Sequence, residues 1–107
     1  MTPHLFVYGT LRVAAKTKWS RYLAAASRLI GEGQTRGELF QLDGYPGMKV
    51  RAEGDRWVRG EVHLLLDPST TLPALDAYEG SQFDRQMVTV LLDSGERIQA
   101  WAYILAP

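Results

Sequence analysis

Strand-like segments fill most of this chain, and only two short stretches carry helical spacing. That imbalance constrains the fold more than any other feature. An open strand edge presents unpaired N–H and C=O groups to other chains, so a strand-rich chain must cover or close its edges. Leu5 to Tyr8 is an unbroken apolar run, as expected of a strand buried on both faces. Leu29 to Gly33 and Thr35 to Leu42 read as strand material interrupted by glycines, which predicts bulges or bends. Met48 to Ala52 reads as a short strand, followed by a turn at Glu53-Gly54-Asp55. Val58, Gly60, Val62, Leu64 and Leu66 alternate with Arg59, Glu61 and His63, the period of a half-buried strand. Arg85 to Leu92 and Arg97 to Leu105 flank Asp93-Ser94-Gly95-Glu96, a hairpin signal.

The helical stretches are equally readable. Trp19, Tyr22, Leu23 and Ala26 give Lys16 to Ser27 one apolar face. Further on, Ser69, Thr70 and Thr71 offer N-caps, and Pro73 is tolerable in a first turn. Leu72, Leu75 and Tyr78 then share a face, and Gly80 is a C-terminal stop. The sum is roughly six or seven strands and two short helices. A mixed, closed or nearly closed sheet protects such strands best. Asp43-Gly44-Tyr45-Pro46-Gly47 is a loop on the same reasoning.

Composition narrows the function. With 107 residues the chain can form one domain over positions 1–107 and not two. Twelve basic residues balance twelve acidic ones, so no long-range field favours nucleic acid or an anionic membrane. Cysteine is absent, which removes a thiol nucleophile, a disulfide framework and a thiolate metal site. The same absence fits a reducing, cytoplasmic location. No apolar run approaches the ~20 residues that span a bilayer, and no signal peptide is visible at the N-terminus. His4 and His63 match no metal-ligand spacing. No serine lies in a recognisable nucleophile motif.

Two segments remain as candidates for chemistry. Glu79 falls in the last turn of the second helix, where the partial negative charge of the carbonyl end disfavours a carboxylate. Asp76 lies one turn earlier and adds a like charge. Both effects predict a raised pKa, as suits a group that takes and returns a proton near neutral pH. By itself the local sequence is also accounted for by a solvated acidic helix end. Asp76 could equally fix a nearby turn.

The second candidate is Tyr8-Gly9-Thr10-Leu11, at the end of the first strand. Gly9 permits a sharp turn and close approach of a ligand, and the following amides could cradle an anion or oxyanion. A routine strand-to-loop transition explains the same four residues. Trp19, Trp57 and Trp101 are read as packing residues. Tyr103 can line a pocket or pack in the core. Arg85 can grip a carboxylate as a planar fork, or form a structural ion pair.

The order of these fragments resembles the gamma-glutamylcyclotransferase-like superfamily, and the small size resembles its gamma-glutamylamine cyclotransferase branch. The matching text runs from Phe6-Val7-Tyr8-Gly9-Thr10-Leu11-Arg12, through Gly44-Tyr45-Pro46-Gly47 and Val58-Arg59-Gly60-Glu61-Val62, to Leu75-Asp76-Ala77-Tyr78-Glu79-Gly80. It ends with Phe83-Asp84-Arg85 and Ala100-Trp101-Ala102-Tyr103. The resemblance implies an α+β fold, a small mixed β-barrel with short helices and a pocket at one end. It implies a small-molecule gamma-glutamyl substrate, release of 5-oxoproline and a free amine, and no metal or organic cofactor. Glu79 then matches the catalytic glutamate of the family. Tyr8, Gly9, Thr10 and Leu11 match the loop that holds the glutamyl part.

One departure stands out. The family often has a tyrosine where this chain has Phe83. The departure bears on substrate preference and leaves the glutamate and the loop in place. It also motivates an alternative, a non-catalytic small-ligand binding or regulatory domain on the same barrel. A third reading is an amide hydrolase that uses Glu79 on a different acyl group. The oligomeric state and the leaving amine are left open by the sequence.

Overall fold

A computed structural model describes residues 2–107. Six strands and two α-helices follow one another: β1 (His4–Val7), α1 (Lys18–Ala26), β2 (Ser27–Gln41), β3 (Pro46–Val50), β4 (Trp57–Leu65), α2 (Pro68–Glu79), β5 (Phe83–Leu92) and β6 (Arg97–Leu105). Short 3-10 turns at Val13–Ala15 and Gly80–Gln82 precede α1 and β5. The sheet order is β3-β2-β4-β1-β6-β5, and β5 pairs back onto β2. Five strands therefore form a closed ring, with β3 added to the outer length of β2. The ring is mixed, because β1 runs antiparallel to β4 and parallel to β6. The expected small mixed barrel with two short helices is the fold observed.

β1 explains its own apolar run. Phe6 and Tyr8 point into the barrel, beside Met48, Val62, Val90 and Ala102. Leu5 and Val7 point outward into a second core, where Leu23 of α1 and Leu72 and Leu75 of α2 cover the sheet. Leu5, Phe6 and Val7 are all buried. A strand covered on both faces cannot alternate apolar and polar residues.

The long glycine-rich segment differs from expectation in continuity. Leu29–Gly33 and Thr35–Leu42 form one 15-residue strand, β2, rather than two. A register shift between Leu29 and Gly31 supplies the predicted bulge. The glycines do not end the strand; Gly33 lies where the barrel closes. It sits opposite Leu92 in β5, and a Cβ there would lie 2.7 Å from the Leu91 carbonyl oxygen and 3.1 Å from the Leu92 Cα. Past that short pairing, the Thr35 hydroxyl donates to the Thr89 carbonyl at 2.7 Å and holds the two strands together.

Two further differences concern the helices and the tryptophans. α2 begins at Pro68 after an Asp67 cap, and Ser69 and Thr70 donate their hydroxyls to the Asp67 carboxylate at 2.8 and 2.7 Å. Pro73 therefore lies inside the helix, not in its first turn, and withholds one backbone donor. Gly80 ends the helix with φ 74°, as expected. Trp19 and Trp101 pack on the outer core, whereas Trp57 lies at the surface beneath the Arg36 guanidinium, 5.1 Å from its ring centre.

The closure point yields a test. Gly33→Ala should lower unfolding stability by about 1–3 kcal/mol, because backbone atoms of β5 cannot yield to the methyl group. Urea denaturation followed by circular dichroism reads the change directly. An unchanged midpoint would mean that β2 and β5 are not in close contact there.

Candidate active site

The loop after β1 is held from several sides. The Tyr8 hydroxyl donates to the Tyr103 carbonyl at 2.6 Å and accepts the Met48 N–H at 3.1 Å. Burial pushes its pKa up to about 12, against the opposing bond from Met48 and with a smaller push from the Glu79 charge. That phenol is therefore a structural pin between β3 and β6. Gly9 follows, and its glycine identity is explained by close approach. A Cβ there would lie 3.1 Å from Cγ of Pro46, while its φ is not in the left-handed region. The sharp turn expected at Gly9 is thus a matter of proximity to the Pro46 loop.

Thr10 connects the loop to both helices. Its carbonyl accepts the Thr17 hydroxyl at 2.9 Å, and Thr17 Oγ1 in turn caps α1 by accepting the Ser20 N–H at 3.0 Å. Its own hydroxyl lies 3.1 Å from the Tyr78 hydroxyl of α2. The Gly9 carbonyl accepts the Arg12 N–H at 3.1 Å. Among the described residues, the N–H groups of Gly9, Thr10 and Leu11 donate to no backbone carbonyl.

α2 carries two carboxylates with opposite environments. The Asp76 carboxylate receives Arg85 Nε at 2.8 Å, a second Arg85 nitrogen at 3.2 Å and the Tyr103 hydroxyl at 2.7 Å. Partial burial pushes its pKa up, but the bonds from Arg85 and Tyr103 and the guanidinium charge outweigh it and leave it lowered. Arg85 itself lies over the Trp101 ring at 4.5 Å. Burial, and then its bond to Asp76, push the Tyr103 hydroxyl well above the ordinary phenol range, so it remains a donor.

Among the described residues, Glu79 has no such partners. Burial raises its pKa from 4.5 to about 7. The direction agrees with the sequence reading and the cause does not. Asp76 is neutralised by Arg85 and turned away from the role of a repelling neighbour. Desolvation at the rim of the barrel does the work expected of the helix end.

These pieces enclose one cavity of about 360 Å³. Tyr8, Gly9, Thr10 and Leu11 line it together with Glu79. So the two segments singled out in the sequence, 68 residues apart between Thr10 and Tyr78, meet across a single pocket. Tyr45, Pro46, Tyr78, Gln82, Phe83 and Tyr103 complete much of its wall. Among the described residues, no group of three or more His, Cys, Asp or Glu converges as a metal site. No helix among them is long and apolar enough to cross a membrane.

A family model described as gamma-glutamyl cyclotransferase, AIG2-like matches residues 5–107. The chain belongs to that family. A Methanocaldococcus jannaschii protein provisionally named a gamma-glutamylcyclotransferase is 34% identical over 104 residues, covering 94% of this chain and 82% of that protein. A Drosophila melanogaster protein with the same provisional name is 29% identical, covering 98% and 71%. Among solved structures, YkqA from Bacillus subtilis is 32% identical with a TM-score of 0.76. The match covers 98% of this chain but only 36% of YkqA. A mouse AIG2-like protein, 23% identical over 97% of this chain and 77% of its own, shares the fold with a TM-score of 0.80.

Residues that the sequence reading passed over also serve this AIG2-like pocket. Glu61 accepts the Val13 N–H at 3.0 Å, and so anchors the segment that follows the Tyr8–Leu11 loop. Its carboxylate also lies 3.2 Å from Nε2 of the buried His63, whose Nδ1 lies 3.0 Å from the Ser27 hydroxyl. The alternation of the segment identified it as a strand, but could not show which outward side chain reaches back to Val13. Tyr45 and Gln82 were equally silent, because their hydroxyl-to-amide bond joins two loops distant in sequence.

The raised pKa of Glu79 has a consequence for stability. The folded protein binds this proton more tightly than the unfolded chain, so Glu79 costs stability as pH rises from about 4.5 through about 7. Glu79→Gln removes the titration. The variant should match wild type near pH 4.5 and exceed it by about 2 kcal/mol above pH 8, allowing for partial exposure to water. Denaturant midpoints at the two pH values measure this. A constant difference across pH would mean that Glu79 is solvated.

Proposed function

We propose that this protein is a cofactor-independent gamma-glutamyl cyclotransferase, which releases 5-oxoproline and a free amine from a small gamma-glutamyl amine or peptide. The observation that carries the reading is the pairing of Glu79, a carboxyl that titrates near neutral pH, with the amides of Gly9, Thr10 and Leu11, which among the described residues donate to no backbone carbonyl, in one cavity. Family membership supports the same reaction class.

The chemistry needs a proton acceptor more than a nucleophile. The substrate's α-amine is largely protonated at neutral pH and cannot attack in that form. Ionised Glu79 accepts a proton from it. The freed nitrogen attacks the γ-carbonyl carbon of its own molecule and closes the lactam ring. The C–N bond to the leaving amine breaks, and Glu79 returns the proton to the departing nitrogen. The second proton that the attacking nitrogen sheds reaches the departing amine through solvent.

The loop supplies what the carboxylate cannot. Its amides are suited to hold the substrate carboxylate or the oxyanion that develops on the γ-carbonyl. Ring closure is intramolecular, so confining the glutamyl chain in a folded conformer removes much of the barrier. The Tyr8 hydroxyl, occupied by Tyr103 and Met48, contributes by holding the loop rather than by touching substrate.

Glu79→Gln should abolish 5-oxoproline release from a panel of gamma-glutamyl amines, as followed by mass spectrometry, while the circular dichroism spectrum is kept. For the wild type, kcat/KM should rise with pH through about 7, because the ionised form of Glu79 is the active one. Turnover retained in the variant would exclude Glu79 as the proton carrier. Saturable binding without product from wild type would instead favour a binding domain, a reading that Phe83 in the pocket wall motivates.

A further inference from the structure

The cavity holds more information than its catalytic corner. Given the cyclotransferase reading, on which this inference rests, Glu79 and the Tyr8–Leu11 loop are committed to the glutamyl group and the reacting atoms. The leaving amine must then face the remaining wall. That wall is contributed by the loop after β2, the end of α2, the turn that follows it and the start of β5. Its side chains include Tyr45, Tyr78, Gln82 and Phe83. None carries a charge, and among the described residues Glu79 is the single ionisable carboxylate or cation in the lining.

The neighbouring charges do not reach it. Arg85 is engaged by Asp76 from two nitrogens, at 2.8 and 3.2 Å. Arg12 is exposed and turns its Nε to the Gly9 carbonyl at 3.3 Å. Asp43 and Asp84, adjacent in sequence to lining residues, are exposed and take no part in the lining. The Tyr45 hydroxyl donates to the Gln82 side-chain oxygen, so the polar end of that ring is already satisfied. The Tyr45 and Phe83 rings then stand 6.2 Å apart and tilted by 52°, an apolar surface with no free donor from Phe83.

We infer that the preferred substrate is the γ-glutamyl amide of an uncharged, hydrophobic amine, with an aromatic or alkyl group packed on Tyr45 and Phe83. An amino acid as leaving group would bring a carboxylate that finds no cation in the wall and a like charge in Glu79. The cavity is half open, so the penalty is modest, but a carboxylate held beside Glu79 with no cation in the lining loses water without gaining a partner. A leaving group that keeps a second, free ammonium, as a diamine acylated at one end does, would find its sole counter-charge among the lining residues in Glu79. Pairing there would lower the pKa of the group that must take up the proton. An apolar group meets neither penalty and gains contact area on two rings. The cavity lies at the small end of ligand sites, so the amine is of benzylamine size and not a long peptide.

The test compares the γ-glutamyl amide of benzylamine, γ-glutamyl-glutamate and the mono-γ-glutamyl amide of 1,4-diaminobutane as substrates of the wild-type protein, by 5-oxoproline release. The benzylamide should exceed both charged substrates in kcat/KM by about tenfold or more, mainly through KM. A second arm places a cation in the wall at an exposed position. Gln82→Arg should raise kcat/KM for γ-glutamyl-glutamate by about tenfold and lower that for the benzylamide. Phe83→Ala should cost the benzylamide about tenfold and the charged substrates little. Product from the charged substrates at equal or higher efficiency, or a Phe83→Ala loss shared by all three, would overturn the specificity while leaving the cyclotransferase reading intact. No 5-oxoproline from any of the three would overturn both.

Discussion

The structure depends on β1 being buried on both faces. Phe6 and Tyr8 fill the barrel while Leu5 and Val7 anchor the two helices outside it. A four-residue strand that serves two cores has no freedom to shift register, since a slip of one residue would exchange the two sets. Its end is therefore a fixed point. The Tyr8–Leu11 loop starts from that point and inherits its precision. Pins from Tyr103, Met48 and Thr17 then hold the loop from three separate elements.

The pocket owes its electrostatics to a division of labour along α2. Asp76 is the structural carboxylate. It takes Arg85 and Tyr103 as partners, and so ties the end of the helix to β5 and β6. Glu79, less than one turn later, has no cation beside it among the described residues and is desolvated by the same packing. One acid is held ionised and the other is brought near neutrality by moving the compensating charge a few ångströms. The clamp positions the helix end that presents Glu79, and its own charges cancel locally.

Much of this was legible before folding. Strand periods in β5, β6 and β4 up to Val62 depend only on which residues face a core, and nearest neighbours in the chain encode that, whereas past Val62 the expected phase fails, with His63 buried and Leu66 exposed beyond the strand. The unbroken run in β1, the bulge near Ile30 and the Gly80 stop were visible for the same reason. Other features were misread because their causes lie elsewhere in the chain. β2 continues through its glycines because the β5 backbone needs the space beside Gly33. The cap of α2 moved to Asp67, whose carboxylate takes the Ser69 and Thr70 hydroxyls while Pro68 fills the first helical position, and this leaves Pro73 inside the helix.

The site shows the same boundary. Local sequence alone determined that residues 8–11 form a glycine loop at a strand end and that Glu79 ends a helix, because strand runs, caps and stops are local chemistry. Only the tertiary structure decided that the two meet in one cavity, that Asp76 belongs to Arg85 and Tyr103, and that burial governs Glu79. Those outcomes turn on distances between groups far apart in the chain and on the water that packing excludes. Neither quantity exists until the barrel closes.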